Sequence, residues 1–134
     1  MAAFSTYSSD KILDLTLNQT SWTAPTNIYL GLFTSDAGLA DNVEGSQTEV
    51  AAADYERVDV TSAFDAASSG SCANTSEILF DTAESSWGEI SHVAVMDALT
   101  SGNVLYWGAL TASRTVESGD APRFAVDNFT ITIS

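Results

Sequence analysis

The sequence predicts a mainly β domain, an antiparallel β-sandwich or jelly roll preceded by one short N-terminal helix. Short runs of β-branched and aromatic residues recur along the chain, separated by stretches rich in Ser, Thr, Gly and Ala that favour turns. Strands do not alternate with helices, which excludes a parallel nucleotide-binding sheet. Hydrophobic residues make up 45% of the chain, which is too many for a disordered protein.

The predicted helix lies near the N-terminus. Ser8 or Ser9 can cap it, and Asp10 in the first turn favours the positive end of the helix dipole. Three leucine positions also fit the alternation of a strand, but the cap and the helix preference of leucine favour a helix that ends near residues 18–19.

About seven or eight short strands are predicted after this helix. The first of them is apolar on both faces, which is typical of a central strand, and Thr100–Asn103 predicts a hairpin loop. Residues 35–53 form the longest irregular stretch, and residues 66–73 form a loop of small residues around Gly70. The clearest strands lie at residues 28–33, 55–60, 77–81, 90–97, 104–110 and 129–133.

A chain of 134 residues fits a single domain, so residues 1–134 are predicted to form one β-sandwich, with residues 1–9 as an N-terminal arm. Phe4 and Tyr7 are apolar residues in this otherwise polar arm, which makes them candidates for contact with a neighbouring subunit. We expect a protein synthesised in the cytoplasm, because the first ten residues lack the basic and apolar stretches of a signal peptide.

Composition narrows the possible partners. Four basic against eighteen acidic residues give a net charge of −14, which excludes binding to nucleic acid or to an anionic membrane surface. The single cysteine, Cys72, excludes an internal disulfide and a thiolate zinc site. No apolar run approaches the roughly 20 residues of a membrane-spanning helix.

The sequence predicts no enzyme, no catalytic or metal-binding residues and no cofactor. The single histidine, His92, lies in an apolar strand pattern and is expected to be structural. No serine lies in a Gly-x-Ser-x-Gly elbow, and Cys72 has no basic neighbour to activate its thiol. The acidic residues of segment 35–53 are spaced too irregularly for a calcium loop.

Two tryptophans leave a binding alternative open. Trp22 and Trp87 lie next to turns and could form an exposed platform, whereas Trp107 lies in an apolar run and is expected in the core. A carbohydrate-binding β-sandwich module is therefore one alternative function. Together with the two aromatic residues of the arm, the candidate interface residues are Phe4, Tyr7, Trp22 and Trp87.

Several stretches in a fixed order resemble a family of small tailed-bacteriophage structural proteins that are often labelled tail-fibre-like. They extend from about residue 11 to the C-terminus, and the resemblance implies a β-sandwich virion protein without catalysis that forms a homotrimer. The matching stretches are residues 11–14 (Lys-Ile-Leu-Asp), 29–34 (Tyr-Leu-Gly-Leu-Phe-Thr), 86–92 (Ser-Trp-Gly-Glu-Ile-Ser-His), 97–98 (Asp-Ala), 102–111 (Gly-Asn-Val-Leu-Tyr-Trp-Gly-Ala-Leu-Thr), 115–120 (Thr-Val-Glu-Ser-Gly-Asp) and 130–133 (Thr-Ile-Thr-Ile).

Charge and size then favour one position on the particle. A net charge of −14 would be repelled by packaged DNA, so we expect the outer surface of the virion. The chain has no heptads, collagen-like repeat or shaft, which favours a capsid decoration (cement) protein that binds the major capsid protein and stabilises the head. The alternative function is a tail-fibre or baseplate component, whose partner would be another virion structural protein.

Overall fold

The computed structural model describes residues 3–133. Within this range the chain forms one α-helix, α1 (Thr6–Thr16), a 3₁₀ turn at Glu44–Ser46 and nine β-strands. No helix in the described range has the length and apolarity to cross a membrane. The strands are β1 (Ala3–Phe4), β2 (Tyr29–Phe33), β3 (Val58–Asp59), β4 (Ser71–Ala73), β5 (Ile78–Leu79), β6 (Gly88–Met96), β7 (Val104–Val116), β8 (Arg123–Phe124) and β9 (Thr130–Thr132).

The strands form one large sheet and two small ribbons. The sheet has five strands in the order β1-β7-β6-β2-β3, and the ribbons pair β4 with β9 and β5 with β8. Every pairing is antiparallel. The predicted mainly β, antiparallel fold with a short N-terminal helix is therefore confirmed. Of the two predicted architectures, a sheet that faces two ribbons corresponds to the β-sandwich.

Hydrophobic side chains are buried on both faces of this sheet. The larger core lies between the sheet and the ribbons, where Leu30 and Leu32 of β2 share a cluster with Ile131 of β9. A smaller core on the opposite face contains Phe33 of β2 and Leu39 from the loop that follows. Strand β2 is therefore buried on both faces, as its continuous apolar run predicted.

A tight turn joins the two longest strands. The Asp97 carboxylate accepts hydrogen bonds from the backbone N–H of Asn103 at 2.6 Å and from its side-chain amide at 2.8 Å. Gly102 has a φ of +81°, and a Cβ there would lie 2.5 Å from Asp97 Oδ1. Only glycine fits this position, and the predicted hairpin loop at Thr100–Asn103 is confirmed.

The acidic segment 35–53 folds back against the sheet. The Thr34 N–H donates to Thr48 O, and Phe33 forms a β-bridge with Glu49. Both Glu49 carboxylate oxygens accept hydrogen bonds from the Arg57 guanidinium at 2.7 Å. Arg57 is 6% exposed, so this pair fixes the end of the segment against the domain.

The N-terminal segment differs from its prediction. Helix α1 begins at Thr6, because Ser5 rather than Ser8 or Ser9 is the N-cap, and Ser5 Oγ accepts a hydrogen bond from the Ser8 N–H. The Ser5 hydroxyl also donates to Val104 O, which ties the cap to strand β7. Residues 3–9 are therefore part of the domain and not a separate arm, and residues 1–2 of the predicted arm lie outside the described residues.

Several strand boundaries also differ, because long-range pairing decides them. Strand β4 forms inside the predicted loop at 66–73, where Cys72 lies opposite Ile131. Strand β7 continues to Val116 because it pairs again with β6 after an irregularity, in which only Ser91 stands opposite residues 110–113. The predicted strands at 55–60 and 77–81 shorten to two residues each, and β8 was not predicted.

Candidate interaction surface

The single histidine is held by structural contacts. Ser91 Oγ donates to Thr34 O at 2.9 Å and lies 2.8 Å from His92 Nδ1. The His92 ring stacks on Trp107 with 6.3 Å between the ring centroids. Trp107 is half-buried and packs against the smaller core from outside, whereas its apolar run predicted a position within the core. Among residues 3–133, no group of three or more His, Cys, Asp or Glu side chains is placed to hold a metal ion.

Trp87 is a core residue and does not form the exposed platform that its position near a turn suggested. It is 5% exposed, and its ring packs edge-on against Tyr55. The Trp87 indole N–H donates to the Asp54 carboxylate at 2.9 Å. Hydrogen bonds from the Ser85 hydroxyl and from Trp87 hold the pKa of Asp54 well below its usual range. A carboxylate partner for the indole makes burial of this tryptophan favourable.

Phe4 and Tyr7 are half-buried within their own chain. The Phe4 ring lies 5.3 Å from the ring of Tyr106, centroid to centroid. Tyr7 packs against the larger core, and the Lys11 ammonium lies 5.6 Å from its ring centroid. The two aromatic residues therefore attach the N-terminal segment to the sheet.

Trp22 lies in the wall of an open apolar groove with a volume of about 360 Å³. The groove runs between the extended segment that follows α1, the β4–β9 ribbon and the sheet strands β6 and β7. Not one of its thirteen lining residues is charged, in a chain that has eighteen acidic residues. The lining residues are Trp22, Pro25, Ile28, Phe64, Ala67, Gly70, Ser71, Cys72, Val95, Leu105, Tyr106, Ile131 and Ile133.

Small residues and one glycine turn shape this groove. Gly70 has a φ of +77°, and a Cβ there would lie 2.8 Å from Ile133 O, so glycine lets the end of β9 approach β4. Ala67 and Ser71 add little volume beside it, which leaves space between the aromatic walls. Burial raises the pKa of the Tyr106 hydroxyl, so this side chain stays protonated and uncharged in the groove wall.

Exposed leucines occur at the C-terminal end of α1. Leu13, Leu15 and Leu17 are 53%, 45% and 77% exposed, and only Ser8 is buried within the helix. We call these three residues the α1 leucines. Leu13 and Leu17 are four residues apart and lie on one side of the helix end, whereas Leu15 lies on the opposite side, so the three do not form one continuous patch.

Sequence patterns predicted one residue of the groove and missed its remaining lining. Trp22 was a candidate interface residue and does line the groove. Ile28, Tyr106 and Ile131 belong to strand-like runs, which predict strands but no groove. The exposure of the α1 leucines could have been predicted from their spacing, because leucines two residues apart cannot all lie on one buried face of a helix.

Comparison with known protein families identifies the family of this chain. A search of curated proteins finds nothing similar to this chain. A family model described as "Podophage GP4 fiber I protein gp80" matches residues 3–132, nearly the whole chain. The resemblance to tailed-phage structural proteins is thus confirmed. The chain belongs to the podophage GP4 fiber I protein gp80 family of tailed-phage structural proteins.

Proposed function

We propose that this protein is a non-enzymatic structural subunit of a fibre on the outside of a tailed-phage particle. The observation that carries the proposal is the family match over residues 3–132, because its description names a fibre protein of a podophage. The sequence placed a tail fibre second, after a capsid decoration protein. The family match favours the fibre, so we propose the fibre first and capsid decoration second.

Capsid decoration stays as the second candidate for a specific reason. The described residues form one compact sandwich, and the only α-helix among residues 3–133 has eleven residues. Fibres that extend far from a particle usually contain a coiled coil or another shaft. A compact acidic domain would equally suit a protein that binds on the major capsid protein and holds neighbouring subunits together.

The proposed mechanism is association and not catalysis. His92 is engaged by Ser91 and Trp107, and the Asp54 carboxylate accepts hydrogen bonds from Ser85 and Trp87. The apolar groove and the α1 leucines supply hydrophobic surface for contacts with other virion proteins or with further copies. We propose a homotrimer, and the net charge of −14 supports a position away from packaged DNA.

Imaging of labelled particles tests this proposal. Purified particles are treated with a gold-labelled antibody against the chain and examined by electron microscopy, with particles from a deletion strain as the control. The fibre proposal predicts label at discrete fibres. Label over the whole capsid surface would support decoration instead, and intact particles without label would contradict both candidates.

A further inference from the structure

We propose that a second cavity, which lies beside strands β7 and β8, binds an organic monocarboxylate through Arg114 and Arg123. The inference goes beyond the proposed function and does not depend on it. We call this site the arginine cavity; it shares no residue with the apolar groove, and its volume of about 360 Å³ lies within the roughly 300–1,000 Å³ that is usual for small-molecule sites. Its lining residues are Leu32, Ile90, Leu110, Arg114, Thr115, Val116, Asp120, Ala121, Pro122, Arg123 and Phe124.

Positive charge is concentrated at the arginine cavity. The chain has only four basic residues, and two of them, Arg114 and Arg123, line this site. The other two lie elsewhere, because Arg57 is buried in an ion pair and Lys11 belongs to α1. Asp120 is the only acidic residue of the lining, so the lining carries a formal charge of +1 in a chain of charge −14. An anion therefore meets a locally positive surface here, although the chain as a whole repels it.

Both arginines have hydrogen-bond donors that their own chain leaves free. Within residues 3–133 the ion pairs are Arg57–Glu49 and Arg123–Glu77, so Arg114 is exposed and forms none with the described residues. The Arg123 pair uses Nη1 at 3.3 Å, and the Arg123 side chain is 67% exposed. A guanidinium has five N–H donors in a fixed fork that matches the two oxygens of a carboxylate. A ligand can therefore bind both residues without the loss of a buried interaction.

The fold brings the two arginines to one cavity from different strands. Arg114 lies on β7 opposite Ile90, directly after the four residues of β7 that leave the regular ladder. Arg123 begins β8, which pairs with β5. The turn between β7 and β8 is fixed by the Glu117 N–H, which donates to the Asp120 carboxylate at 2.9 Å. Asp120 is thus held by its own turn, and the arginines are left to contact a ligand.

Apolar side chains provide most of the remaining wall of the arginine cavity. Leu32, Ile90 and Val116 are buried, and Leu110 and Phe124 are half-buried. Apolar surroundings of low dielectric strengthen a hydrogen bond between a guanidinium and a carboxylate. They also offer a surface for the uncharged part of a ligand. The lining therefore fits a molecule that joins one carboxylate to a compact carbon body.

The charge of the chain favours a monocarboxylate over a phosphate. Coulomb energy scales with the charge of the ligand, so a chain of −14 repels a dianion about twice as strongly as a monoanion. A phosphate monoester carries about −1.5 to −2 at pH 7, whereas one carboxylate carries a single charge. A free organic acid and an acidic sugar such as a uronate present the same carboxylate, and the probes below distinguish these two sources.

Nuclear magnetic resonance of the ¹⁵N-labelled full chain tests the site. Cyclohexanecarboxylate should shift the amide signals of residues 114–116 and 123–124 in proportion to its binding, whereas cyclohexanecarboxamide, which has the same shape and no charge, should leave them unchanged. Acetate and inorganic phosphate should bind several-fold more weakly. Glucuronate is titrated beside cyclohexanecarboxylate, and the tighter of the two identifies an acidic sugar or a free organic acid as the better match.

Variants of opposite expected effect show which residues recognise the carboxylate. Arg114→Gln should raise Kd about tenfold, because it removes a charge-assisted contact. Lys11→Gln is the matched control, since it changes the net charge equally but lies outside the cavity. Asp120→Asn should lower Kd, because it removes the one negative charge of the lining and keeps an oxygen for the Glu117 N–H. Asp14→Asn, on α1, controls for that charge change. A misfolded variant cannot bind more tightly, so the Asp120 result separates recognition from loss of structure.

Several results would overturn the proposal. These are the absence of shifts near both arginines at millimolar carboxylate, equal binding of the carboxamide, and tighter binding of phosphate. Equal weakening by Arg114→Gln and Lys11→Gln would also overturn it. So would a change of oligomer mass in Arg114→Gln without any binding of carboxylate, because the cavity would then contact an acidic residue of another copy. Label at fibres combined with no carboxylate binding would overturn the arginine cavity alone, and binding combined with unlabelled particles would overturn the fibre function alone.

Discussion

Arg57 is the residue whose removal we expect to be most informative about stability. Its guanidinium donates to both Glu49 carboxylate oxygens at 2.7 Å, and Nη1 donates to Ala98 O at 2.7 Å and Ser101 O at 2.8 Å. One side chain therefore joins the end of segment 35–53 to the turn between β6 and β7. Arg57→Leu replaces the guanidinium with an apolar side chain of moderate size and removes all four hydrogen bonds.

The structure sets the size of the expected loss. Breaking a buried ion pair by removing one partner costs about 3–5 kcal/mol, because the remaining charge is left without its partner. The Glu49 side chain is 24% exposed and still accepts a hydrogen bond from the Tyr55 hydroxyl at 2.8 Å, so the lower end applies. We expect Arg57→Leu to lower the free energy of unfolding by about 3 kcal/mol, or Tm by about 10 °C in a domain of this size.

Urea unfolding at a fixed protein concentration measures this loss, and the chain offers a matched control. Arg123 pairs with Glu77 at 3.3 Å, but their side chains are 67% and 42% exposed. Exposed pairs contribute about 0–1 kcal/mol, so Arg123→Leu should change stability by less than 1 kcal/mol. Equal losses in the two variants, or a loss below 1 kcal/mol for Arg57→Leu, would refute the structural role of Arg57.

Three more predictions concern pH, backbone conformation and salt. Hydrogen bonds lower the pKa of Asp54 in the folded state. The contribution of the ionised carboxylate to stability is therefore complete above the ordinary pKa of 3.8 and is lost as the pH falls below that value. Urea midpoints below pH 4 should decline less steeply for Asp54→Asn than for wild type. Gly102→Ala should cost at least about 1–2 kcal/mol and more than Gly119→Ala in the same urea assay, because both residues have positive φ but only Gly102 lacks space for a Cβ. Moderate added salt should strengthen association of the free protein in sedimentation, because it screens the repulsion between copies of charge −14 over about 8–10 Å. Dissociation of the copies by salt would instead indicate ion pairs between them.

Local patterns predicted the parts of the fold that local chemistry decides. Continuous apolar residues identified β2 as a central strand, and Thr100–Asn103 identified the hairpin because glycine and polar residues suit such a turn. Strands β1 and β4 were missed because their partners are distant in sequence. Cys72, for example, lies opposite Ile131, and nothing in its own stretch of small residues indicates a strand.

The same limit applies to the interaction surface. Five separate parts of the chain line the groove, so no single stretch of sequence indicates it. Trp22 and Trp87 look alike in sequence because both lie next to turns. Trp87 is buried because Asp54, 33 positions earlier, accepts its indole N–H, whereas Trp22 lies in the groove wall.

The number of copies per particle tests the central claim most directly. Quantitative mass spectrometry of purified particles gives the ratio of this chain to the major capsid protein, with particles from a deletion strain as the control. A fibre subunit predicts a copy number that is a small fraction of the capsid protein. Stoichiometry close to that of the capsid protein would indicate decoration of the whole head, and absence of the chain from infectious particles would contradict a virion structural role.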